Sequence, residues 1–175
     1  MTQAEYLHQG MKFLHAALRD ARNVNEEHLH FTPDRQAHSV AWVLWHAARI
    51  EDSIIQRVAQ EKDLVWKQSD WAARSGLPAR GIGTGQSPEE AQQLRITNRE
   101  AFGEYAEAVA AATEAYLRDA TDAELAREVQ VGDRTETVGG AILLHLITHL
   151  NGHRGEINAI RGMQGLPPVV PSLGG

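Results

Sequence analysis

The chain has 175 residues, the length of one domain, and at that size folding buries about two-thirds or more of the unfolded surface, so a core needs no covalent help. It has no cysteine, which excludes disulfides, cysteine-based zinc sites and a cysteine nucleophile; any thiol chemistry must use a thiol brought in by a small molecule. The formal net charge is −6, with 17 basic against 23 acidic residues and no Lys/Arg block, so nucleic acid is not an expected partner.

The N-terminus, Met1-Thr2-Gln3-Ala4-Glu5, starts directly with helix-compatible residues and lacks the basic-then-apolar pattern of a secretory signal, so a cytoplasmic location is expected. Leu7, Met11, Leu14, Leu18 and Ala21 fall at helical spacing and predict a first helix over about residues 2–25, ending before Thr32-Pro33-Asp34. Ser39 can cap a second helix running to about residue 62. Its core face would carry Trp42, Val43, Ile50, Ile54 and Val58 beside His46, and its outer face Glu51, Gln56 and Gln60. The connection over residues 63–86 is long for a helical protein, carries Trp66 and Trp71, and turns glycine-rich at Gly81, Gly83 and Gly85. It reads equally as a satellite cluster over one end of the fold or as a wall or lid over a pocket.

Ser87-Pro88-Glu89-Glu90 supplies an N-cap, a proline at the first helical position and a glutamate able to close a capping box, so a third helix is expected over 87–118. Thr121-Asp122-Ala123-Glu124 repeats the box for a short turn. Residues 128–137 alternate around Gly132-Asp133 like a small hairpin. A fourth helix over 138–163 is stopped by Gly162, Gly165 and Pro167-Pro168, leaving 169–175 as a poorly ordered tail. Four long helical segments with a crossover between the second and third predict an all-α four-helix bundle, one domain over 1–168. The longest apolar stretches, 39–48 and 138–150, are too short and too often interrupted by histidine to span a bilayer.

His145, His149 and His153 recur every four residues on the fourth helix. At about 100° per residue they lie within about 40° of His149, with Glu156 about 20° away, so all four share one face. Two imidazoles one turn apart can bind one metal ion from the same side, and the best third ligand is His46, the polar ring in the apolar run Trp42-Val43-Leu44-Trp45-His46-Ala47-Ala48. A buried histidine on an amphipathic helix is more often hydrogen-bonded core than a ligand, so the spacing alone leaves both readings open. Glu156, Asp52 or Glu51 could orient a ligand imidazole through its other nitrogen. Arg154 points about 100° from His153 and reads as a salt-bridge or packing residue.

The words Leu144-His145-Leu146-Ile147-Thr148-His149-Leu150-Asn151-Gly152-His153-Arg154-Gly155-Glu156-Ile157 resemble the last-helix signature of the DinB-like superfamily. Residues 39–54, with Trp45-His46 followed by Glu51-Asp52, resemble that family's earlier histidine-bearing helix. Asp70-Trp71-Ala72-Ala73-Arg74-Ser75-Gly76-Leu77-Pro78 is similar to a loop of one branch. The resemblance implies a DinB-like bundle in which His46, His149 and His153 are the metal ligands, while His145 holds a frequent histidine position that is not a ligand. Glu156 stands where many members have glutamine. The remaining histidines, His8, His15, His28, His30 and His38, read as surface or core.

A three-histidine site suits Zn²⁺ or Ni²⁺ and keeps a position open for water or substrate, a catalytic more than a structural geometry. By the resemblance the expected function is metal-dependent transfer of a low-molecular-weight thiol to an electrophilic substrate, in detoxification or stress response. Trp66 and Trp71 are expected near the pocket mouth. The alternative is a non-enzymatic metal- or ligand-binding bundle protein, and either form is expected to be a homodimer.

Overall fold

The computed structural model describes residues 1–33 and 38–170. Thr2 opens helix α1 (Gln3–Ala21): its hydroxyl accepts from the Glu5 amide while the Glu5 carboxylate accepts from the Thr2 amide, a capping box that satisfies two otherwise orphaned donors. The helix ends earlier than its apolar stripe predicts because Asn25 caps a separate short helix, α2 (Glu26–His30), by accepting from the His28 amide. Asp34, the last residue of the predicted stop, lies outside the described residues, as do 171–175 of the predicted tail.

Ser39 caps α3 (Val40–Asp52) as expected, accepting from the Trp42 amide, and the helix continues as a π-helical segment over Ser53–Ala59. Of the predicted polar outer face, only Gln60 stays partly exposed. Glu51 and Gln56 are buried, at 3% and 7% exposure, because α3 is enclosed on nearly every side and the wider π turn shifts the phase beyond residue 52. After a 3₁₀ turn (Val65–Lys67) and helix α4 (Trp71–Ser75), the chain reaches α5 (Pro88–Gln93), opened by the Ser87/Glu90 capping box.

The third predicted helix is therefore two. Leu94 and Ile96 are buried, the Ile96 amide donates to His30 Nε2 and the Thr97 amide to the Ser75 carbonyl, so these residues leave the helical path. Asn98 then caps a new helix, α6 (Arg99–Asp119), by accepting from the Ala101 amide. Helix α7 (Asp122–Leu125), capped by Thr121, leads into the predicted hairpin of β1 (Glu128–Val131) and β2 (Arg134–Thr137), antiparallel with Glu128 opposite Thr137. Gly132 takes the left-handed φ of 62° that the two-residue turn requires. The last helical span runs without a break through α8 (Val138–Ala141), a π-helical segment (Ile142–Thr148) and α9 (His149–Met163). Val169, expected in a loose tail, is 1% exposed and exchanges hydrogen bonds with the Asn158 side chain.

Helices α1, α3, α6 and α9 form the four-helix bundle: α1 packs on α6 and α9, and α3 packs on the same two from the opposite corner. Two contiguous apolar clusters fill it, one around Trp45, Phe102 and Tyr105, the other around Met11, Ile142 and Leu146. Among the described residues no helix is long and apolar enough to cross a membrane.

One buried charged cluster crosses this core. His15 donates from Nε2 to Glu51 at 2.8 Å and from Nδ1 to Glu114 at 3.2 Å, and Thr113 donates to the same Glu51 oxygen at 2.6 Å. With a carboxylate on each nitrogen the ring is held as imidazolium. Burial works against that charge, but the two glutamates outweigh it and raise the His15 pKa above 6.5. A raised folded pKa gives stability that is complete below about pH 6.5 and lost as pH climbs through the folded value. His30, His46 and His149 are shifted downward and act on the acid side of the same pH. Urea unfolding should therefore show stability falling as pH rises above about 6.5, and His15→Gln should flatten that limb; an unchanged slope in the variant would contradict the assignment.

Candidate metal centre

His46 stands on α3, whose Ser39 cap and apolar run fix it facing α9, and His149 and His153 stand one turn apart on α9. One ring nitrogen from each of the three lies within 4.8 Å of the others, and the His46 ring centroid is 5.2 Å from that of His149 and 5.0 Å from that of His153. The facing histidines of the two helices thus come together as the spacing predicts. His145 does not join them: it lies in the π-helical segment, whose wider turn takes it out of the α-helical stripe, and its Nε2 bonds Glu136 of β2 at 3.0 Å.

The hydrogen bonds assign the protons. His46 Nδ1 donates to the Ile82 carbonyl, His153 Nδ1 donates to Glu156 at 2.8 Å, and His149 bonds the His145 carbonyl. A carbonyl and an ionised carboxylate only accept, so His46 and His153 hold their protons on Nδ1 and present Nε2 as a lone pair. His149 and His153 face each other Nε2 to Nε2 at 3.0 Å. Burial pushes the His46 pKa down to about 4 and also lowers that of His149, so both rings are neutral near pH 7. Three imidazoles converging from facing helices suit a divalent cation of intermediate softness, and the set fits one.

A second layer holds these rings. Glu156 accepts from His153 on one oxygen and from His38 Nδ1 on the other, both at 2.8 Å. Its carboxyl is shifted downward: burial alone would raise it, and the bonds from His153 and His38 overcome that. His38 stacks on Trp42 at 3.7 Å, and Trp42 stacks on His46 at 4.7 Å. Sequence reasoning set His38 aside, although His38, Trp42 and His46 share the same four-residue spacing that marked the last helix. Of the three carboxylates considered as orienting groups, only Glu156 reaches a histidine of the cluster. Glu51 lies on the far side of α3 and binds His15, while Asp52 accepts from the Val65 and Trp66 amides and the Tyr105 hydroxyl, tying down the crossover. Arg154 caps Asn151 and lies over the Phe13 ring, a packing role.

The crossover supplies a wall, but not from its tryptophans. Trp66 and Trp71 are buried against Tyr105, and Trp66 Nε1 donates to the Ala79 carbonyl. The segment over the site is 81–86: Arg49 donates to the Gly81 carbonyl at 3.2 Å, the Ile82 carbonyl accepts from His46 Nδ1, and Trp42 Nε1 donates to Gln86 at 2.8 Å. A backbone carbonyl as the orienting partner of His46 leaves no mark in the side-chain sequence.

A sequence model of the DinB superfamily matches residues 11–157. The chain belongs to the DinB superfamily. Among solved structures, a conserved protein from Enterococcus faecalis has the same fold, with a TM-score of 0.80 and 20% identity over 92% of this chain and 96% of that one. No curated protein matches the chain. All three clustered histidines lie inside the matched segment, so the possible metal site is part of the DinB domain itself.

In this DinB protein, Glu156→Ala should lower affinity for Zn²⁺ about 10- to 100-fold, as loss of an outer-shell carboxylate typically does, with Glu156→Gln recovering part of it as an acceptor. Competition against a chromophoric chelator reads both. Equal affinity in all three proteins would show that Glu156 does not orient His153.

Proposed function

We propose that His46, His149 and His153 bind one divalent metal, Ni²⁺ or Zn²⁺, and that the protein is a metal-dependent transferase joining a low-molecular-weight thiol to an electrophile. The observation that carries this reading is the donor set: three imidazoles from facing helices, with no fourth histidine, aspartate or glutamate in the group among the described residues. Three protein ligands leave a position for an exogenous group, whereas structural sites are usually closed by four. The cation, when bound, would hold a thiol as thiolate at neutral pH.

The protein's own residues divide the remaining work. Ile82 and Glu156 keep the protons of His46 and His153 on Nδ1, so both rings stay available as ligands. Trp42 and segment 81–86 cover His46, which is 4% exposed, while His149 and His153 remain partly accessible and set the side from which small molecules approach. In the reaction the thiol gives up its proton to solvent, the sulfur forms a bond to the electrophilic carbon, and the carbon's leaving group departs with the bonding pair. A chain with no cysteine must take its sulfur from the cofactor, which fits a cytoplasmic detoxification or stress-response role.

The test is consumption of a chlorodinitrobenzene electrophile by protein reloaded with Ni²⁺ or Zn²⁺, with bacillithiol, mycothiol or glutathione supplied in turn. Turnover that needs both metal and thiol, and disappears in His153→Ala, is the expected result. No metal-dependent turnover with any thiol would favour the second reading, a non-enzymatic metal-binding homodimer. Leu143 and Leu144 favour its dimer component, being 48% and 54% exposed beside the site-bearing helix.

A further inference from the structure

A second concave region lies on the opposite side of α3 from His46. Leu44 and Ala48 are about 160° to 200° around the helix from that histidine, and they line the floor of a groove running between α1 and α6. The outer part holds about 320 Å³ and narrows inward to about 40 Å³ beside His15 and Glu51. The outer volume is at the lower end of the range for small-molecule sites. Its floor is apolar: Leu29, Leu44, Ile96 and Phe102 are all at most 4% exposed.

The rim is cationic. Arg19, Arg22 and Arg99 converge on it. The Arg22 guanidinium is oriented by donating to the Gly103 carbonyl at 3.1 Å, and Arg99 donates to the Arg22 backbone carbonyl at 2.5 Å. Two carboxylates line the same rim, Glu100 and Glu107, and Glu107 accepts from Arg19 Nε at 2.9 Å and Nη2 at 2.5 Å and also from Arg22. Its side chain is 45% exposed whereas that of Arg22 is 18% exposed. The acid is thus the more solvent-exposed member of that pair and the one an exogenous carboxylate would have to replace.

We propose that this groove binds a small organic carboxylate, with the anion replacing Glu107 on Arg22 and Arg19 and the apolar body lying on Leu29, Leu44, Ile96 and Phe102. A bidentate carboxylate matches the planar guanidinium fork, and the apolar floor selects an amphipathic anion over an inorganic one. The site is separate from the histidine cluster and does not depend on the function proposed for it.

Gly103 provides a test that leaves the charges in place. A Cβ there would meet only Arg22 Nη1, at an ordinary 3.6 Å, so Gly103→Leu keeps the helix and fills the groove. Calorimetric titration of the full chain with octanoate should give saturable binding that Gly103→Leu abolishes, that Arg22→Ala weakens about tenfold or more, and that His149→Ala leaves unchanged. Octanol should bind at least about tenfold more weakly than octanoate. Circular dichroism confirms that each variant is folded. Absence of saturable octanoate binding, or binding indifferent to both groove variants, would overturn the proposal.

Discussion

Replacing His149 by alanine is expected to abolish stoichiometric retention of Ni²⁺ or Zn²⁺ while leaving far-UV circular dichroism unchanged. His149 is the ring that faces His153 at 3.0 Å, so its loss leaves two donors on different helices and no pair one turn apart. The fold rests instead on the two apolar clusters, to which none of the three histidines belongs. A half-buried side chain outside the core should cost the metal-free protein no more than about 1 kcal/mol. Metal analysis beside thermal unfolding measures both halves of the expectation. If removing the metal from the wild-type protein unfolded it, the site would be structural and the catalytic reading would lose its basis.

The second large effect is expected at Gly83, far from the histidines in sequence. Its φ of 93° lies where side chains are strained, and a Cβ would stand 2.8 Å from Trp42 Cζ2, 3.0 Å from His46 Nδ1 and 3.1 Å from Trp45 Cζ3. No rearrangement relieves all three, because Trp42 is stacked on both sides and Trp45 is fully buried. Gly83→Val should cost about 1–3 kcal/mol of stability through backbone strain. It should also pull His46 from the Ile82 carbonyl and weaken metal binding by at least the 10- to 100-fold typical of lost outer-shell support. Gly85→Val is the control, since a Cβ there meets nothing within 4 Å, although its φ of 81° carries a similar backbone cost. Equal metal affinity in the two variants would show that segment 81–86 does not position His46.

Much of this was legible in the sequence where a local rule had no competitor. The Ser39 and Ser87 caps, the Gly132-Asp133 hairpin and the apolar stripes placed the elements of a four-helix bundle, and the four-residue spacing with one lone helical histidine pointed to the cluster. The misreadings share a cause, which is that tertiary partners outweighed local pattern. Residues 94–98 leave the helix because His30 and Ser75 offer their amides better partners. Glu51 points inward because His15 and Thr113 meet it there. The part of the site hardest to read is backbone: the Ile82 carbonyl and the space left by Gly83 decide which nitrogen of His46 is free, and neither has a side-chain signature.

The central claim is that three imidazoles, and no more protein ligands, hold one metal. X-ray absorption on the protein loaded with Zn²⁺ tests it most directly, read together with one metal per chain by elemental analysis. The account predicts a first shell containing three imidazole nitrogens at about 2.0–2.1 Å with at least one further light-atom ligand that exogenous thiol replaces by sulfur at about 2.3 Å. A shell with fewer than three imidazoles, or one closed by four protein ligands that no thiol displaces, would contradict it.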